Sequence, residues 1–384
     1  MSTNVDTQNA VQFYNQLDDI CATGLRQALN PQTHVYDRQI LDNQWVHTYD
    51  AYPTEDLTST AICLIGIHRA GLAPSSVDLD PQQTLQAMTA LARRRNYPGG
   101  FGLVVWANAV WDGLPLDELQ AECGVDLSHI ARHVKAITTM ETAWLASGLA
   151  HEYRRSGDER TLALLDACID ELIGQRYQPA TRIMAHAGEA AEFGHGMRRW
   201  IANFADQIYS VQAFAFHALL TGSERSRKTA DDLAGQMVAM QGELGQWWWH
   251  YDARRGGSPQ PYSVYSVHQH GMAPMALYAL RAAGGADHEK AIAASRRWLV
   301  DNELGVSMID PDKPTIWRSL DYDEGRVHEV VRKTRSLLGL AGDLSASASR
   351  PALKLNYETR PYEWAWCLYA GAIAREVAAP AHLV

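Results

Sequence analysis

No stretch of this chain approaches the ~20 consecutive apolar residues needed to span a bilayer, and its first nine residues, Met1-Ser-Thr-Asn-Val-Asp-Thr-Gln-Asn9, lack a basic-then-apolar secretion pattern. A soluble, cytoplasmic protein is the expectation. Cysteine is sparse: Cys21, Cys63, Cys123, Cys168 and Cys367 stand singly, odd in number and without a Cys-x2-Cys spacing. Neither a disulfide framework nor a thiolate zinc site is indicated, and buried, reduced thiols are expected. Positive charge is also short, with 34 Lys and Arg against 44 Asp and Glu, a formal charge of −10. A nucleic-acid backbone would be repelled overall, and Arg93-Arg94-Arg95 and Arg198-Arg199 read as solvated helix ends. The chain also lacks an Asp-Asp-x-x-Asp run and the glycine patterns of Rossmann and phosphate loops, so no cofactor and no metal is expected.

What is present is helix. At 384 residues, with 46% hydrophobic and 20% charged residues, the chain has the composition of a globular protein rather than a disordered one. Apolar residues recur at helical spacing, with Gly and Pro between segments and little or no sheet. The pattern predicts helices over Val11–Leu29, Leu57–Ala70, Pro81–Arg95, Leu103–Asp112, Leu127–Lys135, Thr139–Arg155, Glu159–Gly174, Phe204–Leu220, Ser226–Met240, Met272–Arg281, His288–Val300, Val327–Leu340 and Tyr362–Arg375. Some carry one charged face, as in Glu159 to Leu172, and suit an outer layer. Others are apolar nearly all round and open with polar or aromatic residues. Six of these alternating with outer helices predict an all-α, (α/α)6 toroid. No linker divides the chain, so 1–384 reads as one domain, with 1–50 an outer helix and lead-in and 343–360 a candidate mobile loop.

Gln241-Gly-Glu-Leu-Gly-Gln-Trp-Trp-Trp-His-Tyr-Asp252 follows an outer helix and joins a Gln-x3-Gly-x-Trp spacing to a run of aromatics. This turn is similar to the glutamine–tryptophan turns of the terpenoid cyclase and prenyltransferase toroid superfamily, and Asp56-Leu-Thr-Ser-Thr-Ala61 resembles a loosened form of that family's acid motif. Position 54 is Thr and position 57 Leu, so the aspartate cluster is broken. The resemblance implies a toroid in which the turns are structural, with Trp247 the structural member and Asp56 a general acid that protonates an alkene or epoxide.

In a toroid the N-terminal ends of the inner helices converge on one mouth, where free N–H groups and the positive helix end favour polar ligands. Asp56, Glu141, Asp206 and Glu363 bring carboxylates to four such starts. A pair could serve glycoside chemistry, and one neutralised by burial could act as an acid; capping alone is the equally simple reading of Thr58, Glu141 and Asp206. His268 and His270, with Tyr262, Tyr265 and Gln269, precede Pro274 and form the sharpest cluster: proton carriers, supporting hydrogen-bonding groups, or metal ligands, though i, i+2 is not the spacing of a helical zinc pair. Trp106, Asn108, Trp144, Gln207, Tyr209, Trp249, Tyr265, Gln269, Glu363 and Trp364 are the expected substrate-binding residues, Trp249 as a stacking platform.

Two catalytic readings and one non-catalytic reading follow. The first is acid-initiated cyclisation or isomerisation of an isoprenoid, with Asp56 as acid, an aromatic lining for cations and a histidine removing the last proton. The alternative is a carbohydrate-active enzyme, whether glycoside hydrolase, polysaccharide lyase or sugar epimerase, with Glu141 or Asp206 as acid/base and His268 and His270 as proton shuttles. The polar residues Asn108, Gln207 and Gln269 favour the second; the turn and Asp56 favour the first, which is the reading adopted from sequence. A binding toroid without catalysis is the third. The expected partner is a small molecule or glycan, with no nucleic acid and no membrane span, and homo-oligomerisation is left open.

Overall fold

The structure is a computed structural model and describes residues 2–37, 39–41, 44–46, 53–189, 196, 198–325, 330–332, 334–335 and 352–378, with side chains described from Gln8 in the first helix and Leu57 in the second. In chain order, outer and inner helices alternate. They are α1 (Ser2–Ala28) outside, α2 (Pro53–Arg69) inside, α3 (Pro81–Arg95) outside and α4 (Phe101–Val110) inside. The short pair α5 (Leu116–Cys123) and α6 (Ile130–Ala136) shares one outer position before α7 (Thr139–Ser156) inside and α8 (Glu159–Glu171) outside. Then come α9 (Phe204–Thr221) inside, α10 (Glu224–Ala239) outside, α11 (Ala273–Ala282) inside, α12 (Glu289–Trp298) outside and α13 (Pro361–Ala378) inside. Each inner helix packs on the next, and α13 returns to α2, closing the ring. The fold is the expected (α/α) toroid.

The two kinds of helix differ for the reason their sequences give. In α4 every residue from Phe101 to Ala109 is buried, because an inner helix meets neighbours on all sides. The outer α8 buries one stripe, Thr161, Leu165, Cys168 and Ile169, and turns Glu159, Arg160, Asp166 and Asp170 to water, with Glu171 at its end buried against Arg176. Caps set the starts: Thr138 with Glu141, and Asn203 with Asp206, form capping boxes at α7 and α9. At the opposite ends Gly157 and Gly222 adopt left-handed φ of 66° and 71° to turn the chain outward.

Sequence periodicity places some boundaries wrongly. Helix α4 begins at Phe101, two residues before Leu103; α5 has no counterpart among the expected helices; and the segment expected at Leu127–Lys135 is Ile130–Ala136. The expectation of little or no sheet also needs correction. Short antiparallel pairs join Ile201–Asn203 to His250–Asp252, Val264–Tyr265 to Ser319–Tyr322, and Gln39–Leu41 to Glu358–Thr359. They lead into α9, the turn before α11, and α13, and so tie the loops of the mouth to one another. Most of the expected helix Val327–Leu340 lies outside the described residues, as does 343–351 of the expected mobile loop. The rest of that loop holds the strands Leu353–Asn356 and Glu358–Thr359. Among the described residues no helix is long and apolar enough to cross a membrane.

Candidate active site at the toroid mouth

The mouth gathers side chains from four inner-helix starts and the strands between them. Before α11 the chain makes a π-helical turn, His268–Met272, a feature frequent at functional sites, although a second such turn, Leu172–Arg176, follows α8. The imidazole of His268 stacks on Phe204 at 4.3 Å between centroids and lies 5.1 Å from the Tyr265 ring. Trp249 is nearly parallel to it, at 6.0 Å and 15°, and stands 4.8 Å from Tyr265. Trp249 and Tyr265 are half-buried while His268 is buried. The arrangement is an aromatic shelf with a histidine in its inner wall.

Next to it, His270 Nε2 lies 3.3 Å from Glu363 Oε2, both side chains fully buried, and Tyr14 of α1 donates to the His270 carbonyl at 2.7 Å. Arg318 is anchored by its backbone, its N–H donating to the Glu358 carbonyl at 2.7 Å and its carbonyl accepting from Ser266 at 2.8 Å. Its guanidinium lies 5.2 Å over the Tyr265 ring and donates to Glu358. On the other side of the mouth His186 Nδ1 meets Asp206 Oδ2 at 2.9 Å, and Arg198 Nη2 lies 3.3 Å from His250 Nε2.

Buried polar atoms seldom lack partners. Among the buried side-chain atoms without a hydrogen bond, found elsewhere in the molecule too, four are in this region: His250 Nδ1, His268 Nδ1, Arg318 Nε and Glu363 Oε1. The charges are arranged unevenly. Burial first, then the Arg318 and His270 charges, push His268 far below the ordinary imidazole range, so it is neutral at pH 7. Burial also opposes the charge on His270, yet Cys367 and Glu363 outweigh it and hold this ring up at about 9. Burial lifts the Glu363 carboxyl, against the pull of His270, Arg318 and Arg360. Burial and then Arg198 bring His250 down to about 3.

The depressed histidines carry a stability signature. A ring that refuses a proton in the fold but accepts one near pH ~6.5 when unfolded loses stability as pH falls below ~6.5, by about 1.4 kcal/mol per pH unit for each such group. For His250 the loss continues down to about 3. The His250→Gln variant is therefore expected to show a shallower fall in Tm between pH 6.5 and 4 than the parent. Identical slopes would show that His250 takes up its proton as readily folded as unfolded.

The other expected site residues are placed as follows. Glu141 is held by its own cap, accepting from the Thr138 N–H at 2.7 Å and from the Tyr97 hydroxyl. Asp206 accepts from the Met140 N–H at 3.0 Å and the Asn203 N–H at 2.9 Å besides meeting His186. Both carboxylates are at the mouth, and both cap helices. Asp56 is in the first turn of α2, with its side chain outside the described residues. Gln207 clamps both backbone groups of Met184, at 2.7 and 3.1 Å. Gln269 accepts from the Trp247 N–H at 3.3 Å and donates to the Tyr265 carbonyl at 3.2 Å.

Trp144 and Tyr209 lie deeper, edge to face at 5.6 Å. Trp106 is in the plug that fills the barrel, stacked on His151 at 4.7 Å and packed against Phe216, Trp366 and Tyr369. Two residues are away from the mouth altogether. Asn108 is the eighth residue of α4, not part of its opening, and clamps Leu114 at the far end. Trp364 faces α1, where a Cβ on Gly24 would run into its indole. Sequence reasoning did not find Arg318, His186 or Arg198. Arg318 stands between Trp317 and the alternating Ser319–Tyr322 strand, and that isolated charge is the one available signal.

The fold defines the class first: a six-hairpin α/α toroid with a titratable, aromatic mouth. No protein-family model matches the chain, and no curated protein matches it in sequence. In structure it is similar to a cellobiose 2-epimerase from Bacillus thermoamylovorans, with a TM-score of 0.60 at 11% identity over 95% of this chain and 99% of that one. It is also similar to an unsaturated glucuronyl hydrolase from Bacillus sp. GL1, with a TM-score of 0.58 at 13% identity over 94% and 96%. A sugar epimerase from a ruminal bacterium gives a TM-score of 0.58 at 8% identity over 95% and 98%.

These findings correct the expected kinship. The toroids this chain superposes on act on sugars, so the terpenoid cyclase resemblance and the isoprenoid cyclisation drawn from it are set aside. The Gln241 turn that suggested them does local work. Gln241 Nε2 donates to the Gly245 and Ala291 carbonyls, each at 3.0 Å, fastening α10 to α12, and Gly245 has a φ of 94°, with its α-carbon against the Ala294 carbonyl. A tie of this kind suits any toroid and carries no information about substrate.

Proposed function

We propose that the protein is a carbohydrate-active enzyme that moves a proton on or off a sugar carbon, as an epimerase or lyase does, with His268 as the base. The observation that supports this best is His268 itself. It is buried, kept neutral by its surroundings, has an unpartnered Nδ1, and stands behind the Trp249 and Tyr265 shelf. A neutral imidazole has a lone pair to offer at pH 7, weakened at rest by burial and by the Arg318 and His270 charges and strengthened as negative charge develops on the substrate. The shelf offers an apolar face for a sugar ring. His270, held protonated beside Glu363, puts a positive charge near the base that opposes its protonation at rest and favours negative charge on the substrate. The similarity in fold to a cellobiose 2-epimerase, a sugar epimerase and an unsaturated glucuronyl hydrolase supports the carbohydrate reading.

A hydrolase is the second reading, and Glu363 favours it. A carboxyl raised by burial with Oε1 free has the property a general acid requires. One experiment separates the two. The protein is incubated in D2O with a panel of reducing disaccharides and hexuronates and followed by proton NMR. Proton abstraction washes deuterium into a carbon next to a carbonyl or carboxylate; hydrolysis releases new reducing ends and leaves every C–H in place. Absence of both across the panel would leave a binding toroid.

A further inference from the structure

We propose that the sugar bound at this mouth is acidic, a hexuronate whose carboxylate is gripped by Arg318. This inference rests on the carbohydrate reading and narrows its substrate. Arg318 is the one described guanidinium that touches the aromatic shelf, lying over the face of Tyr265 at 5.2 Å. Tyr265 is also in contact with Trp249 and with His268, so one ring brings the cation, the stacking platform and the base together. The backbone of Arg318 is pinned on both sides, to Ser266 and Glu358. The backbone is thus fixed beside the strand, and the contacts with Tyr265 and Glu358 hold the guanidinium.

Its hydrogen bonding is incomplete. Arg318 donates through Nη1 to Glu358 Oε1, an atom that also accepts from Arg360 Nε at 2.6 Å. Arg318 Nε is buried and donates to nothing. A guanidinium is built to hold a carboxylate through two parallel N–H groups. Glu358 and Glu363 stabilise the charge of Arg318, but the bond to Glu358 is to an oxygen shared with Arg360, and Nε is left over. The remaining edge of Arg318 has the geometry of an anion receptor. The side chain as a whole retains 15% of its exposure, while the unpartnered Nε itself is buried.

The chemistry of a hexuronate fits the same three residues. The hydrogen at C5 is next to the carboxylate and is the acidic C–H of the ring. When the C5–H bond breaks, its proton passes to the His268 imidazole and its electron pair moves into the C5–C6 bond. The carboxylate becomes an enediolate, and Arg318 holds the added negative charge. Return of the proton from His268 to the face it left regenerates the sugar; the epimer forms when a solvent water gives a proton to the opposite face of C5 and His268 passes the proton it holds back to solvent. Nothing beyond substrate and enzyme is consumed.

Quenching of tryptophan fluorescence by methyl β-D-glucuronide, its neutral methyl ester, methyl β-D-glucoside and glucose 6-phosphate tests the assignment. The glucuronide is expected to bind about 10- to 100-fold more tightly than the ester or the glucoside, the range of one charge-assisted pair. Arg318→Gln should abolish that preference while leaving weak glucoside binding, and Glu358→Gln, which frees the guanidinium, should keep or increase it. The second variant also covers the case in which Arg318→Gln fails to fold. Equal binding of glucuronide and glucoside would overturn the proposal and leave the sugar reading standing. Preference for the phosphate would overturn the carboxylate assignment. No quenching by any of the four would count against both.

Discussion

His268→Gln is expected to lower the rate of deuterium wash-in by about 10²- to 10⁴-fold, the range over which a positioned general base acts, while leaving the helical circular dichroism and Tm close to those of the parent. The second half of this expectation follows from the hydrogen bonding. His268 Nδ1 has no partner to lose, and its stacking on Phe204 is one contact in a wall that also includes Trp249 and Tyr265. A residue kept only for packing would behave in the reverse manner, with substitution lowering Tm and sparing the chemistry. His268→Phe separates the roles further, because it retains the ring and removes the base. If His268→Phe exchanges deuterium at the parental rate, the assignment of the base is wrong.

His270→Asn is a useful contrast. Removing that ring leaves Glu363, fully buried, without its 3.3 Å partner, so stability and activity should fall together. The two histidines differ in kind although they are two residues apart. One is embedded in a charge pair and the other in an aromatic stack. Sequence spacing alone does not distinguish them, since the difference arises from α13 and from Arg318, just before the Ser319–Tyr322 strand.

The ring of alternating helices is legible in the sequence because burial on all sides forces apolar residues all round, and α4 is the clearest case. The strands at the mouth are not, since two to four residues are too few to establish an alternating period. The site divides in the same way. His268, His270, Tyr265 and Trp249 lie near one another in sequence, so their density marks the mouth. Arg318 reaches it only through pairing with segments 264–265 and 353–359, and that register is a tertiary fact. Asn108 is misplaced by position, eighth in α4 and so at its far end, while Trp364 shows the limit set by rotation within a helix. Successive residues are turned by about 100°, so Glu363 can face the mouth while Trp364 faces α1, and the sequence does not state the rotation.

That rotation is fixed by close approach of the inner helices, and Gly102→Ala is expected to disturb it most. A Cβ at Gly102 of α4 would overlap the Leu145 nitrogen and the Trp144 carbonyl carbon of α7, and one at Gly148 of α7 would overlap the Gly102 carbonyl oxygen. These obstacles are helix backbone, which cannot swing aside as a side chain can. Relief requires the two helices to separate, which exposes contacts along their shared length and displaces Trp144, the residue packed against Tyr209. Overpacking in a rigid surrounding costs about 3 kcal/mol, a fall in Tm of about 4 °C for a chain of this size. Gly235→Ala is the matched control. It lies within α10, where a Cβ meets nothing within 4 Å, and alanine there should raise stability by about 0.5 to 1 kcal/mol through helix propensity. Equal Tm values for the two variants would mean that α4 and α7 have slack, and the angle at which their starts face the mouth would need another cause.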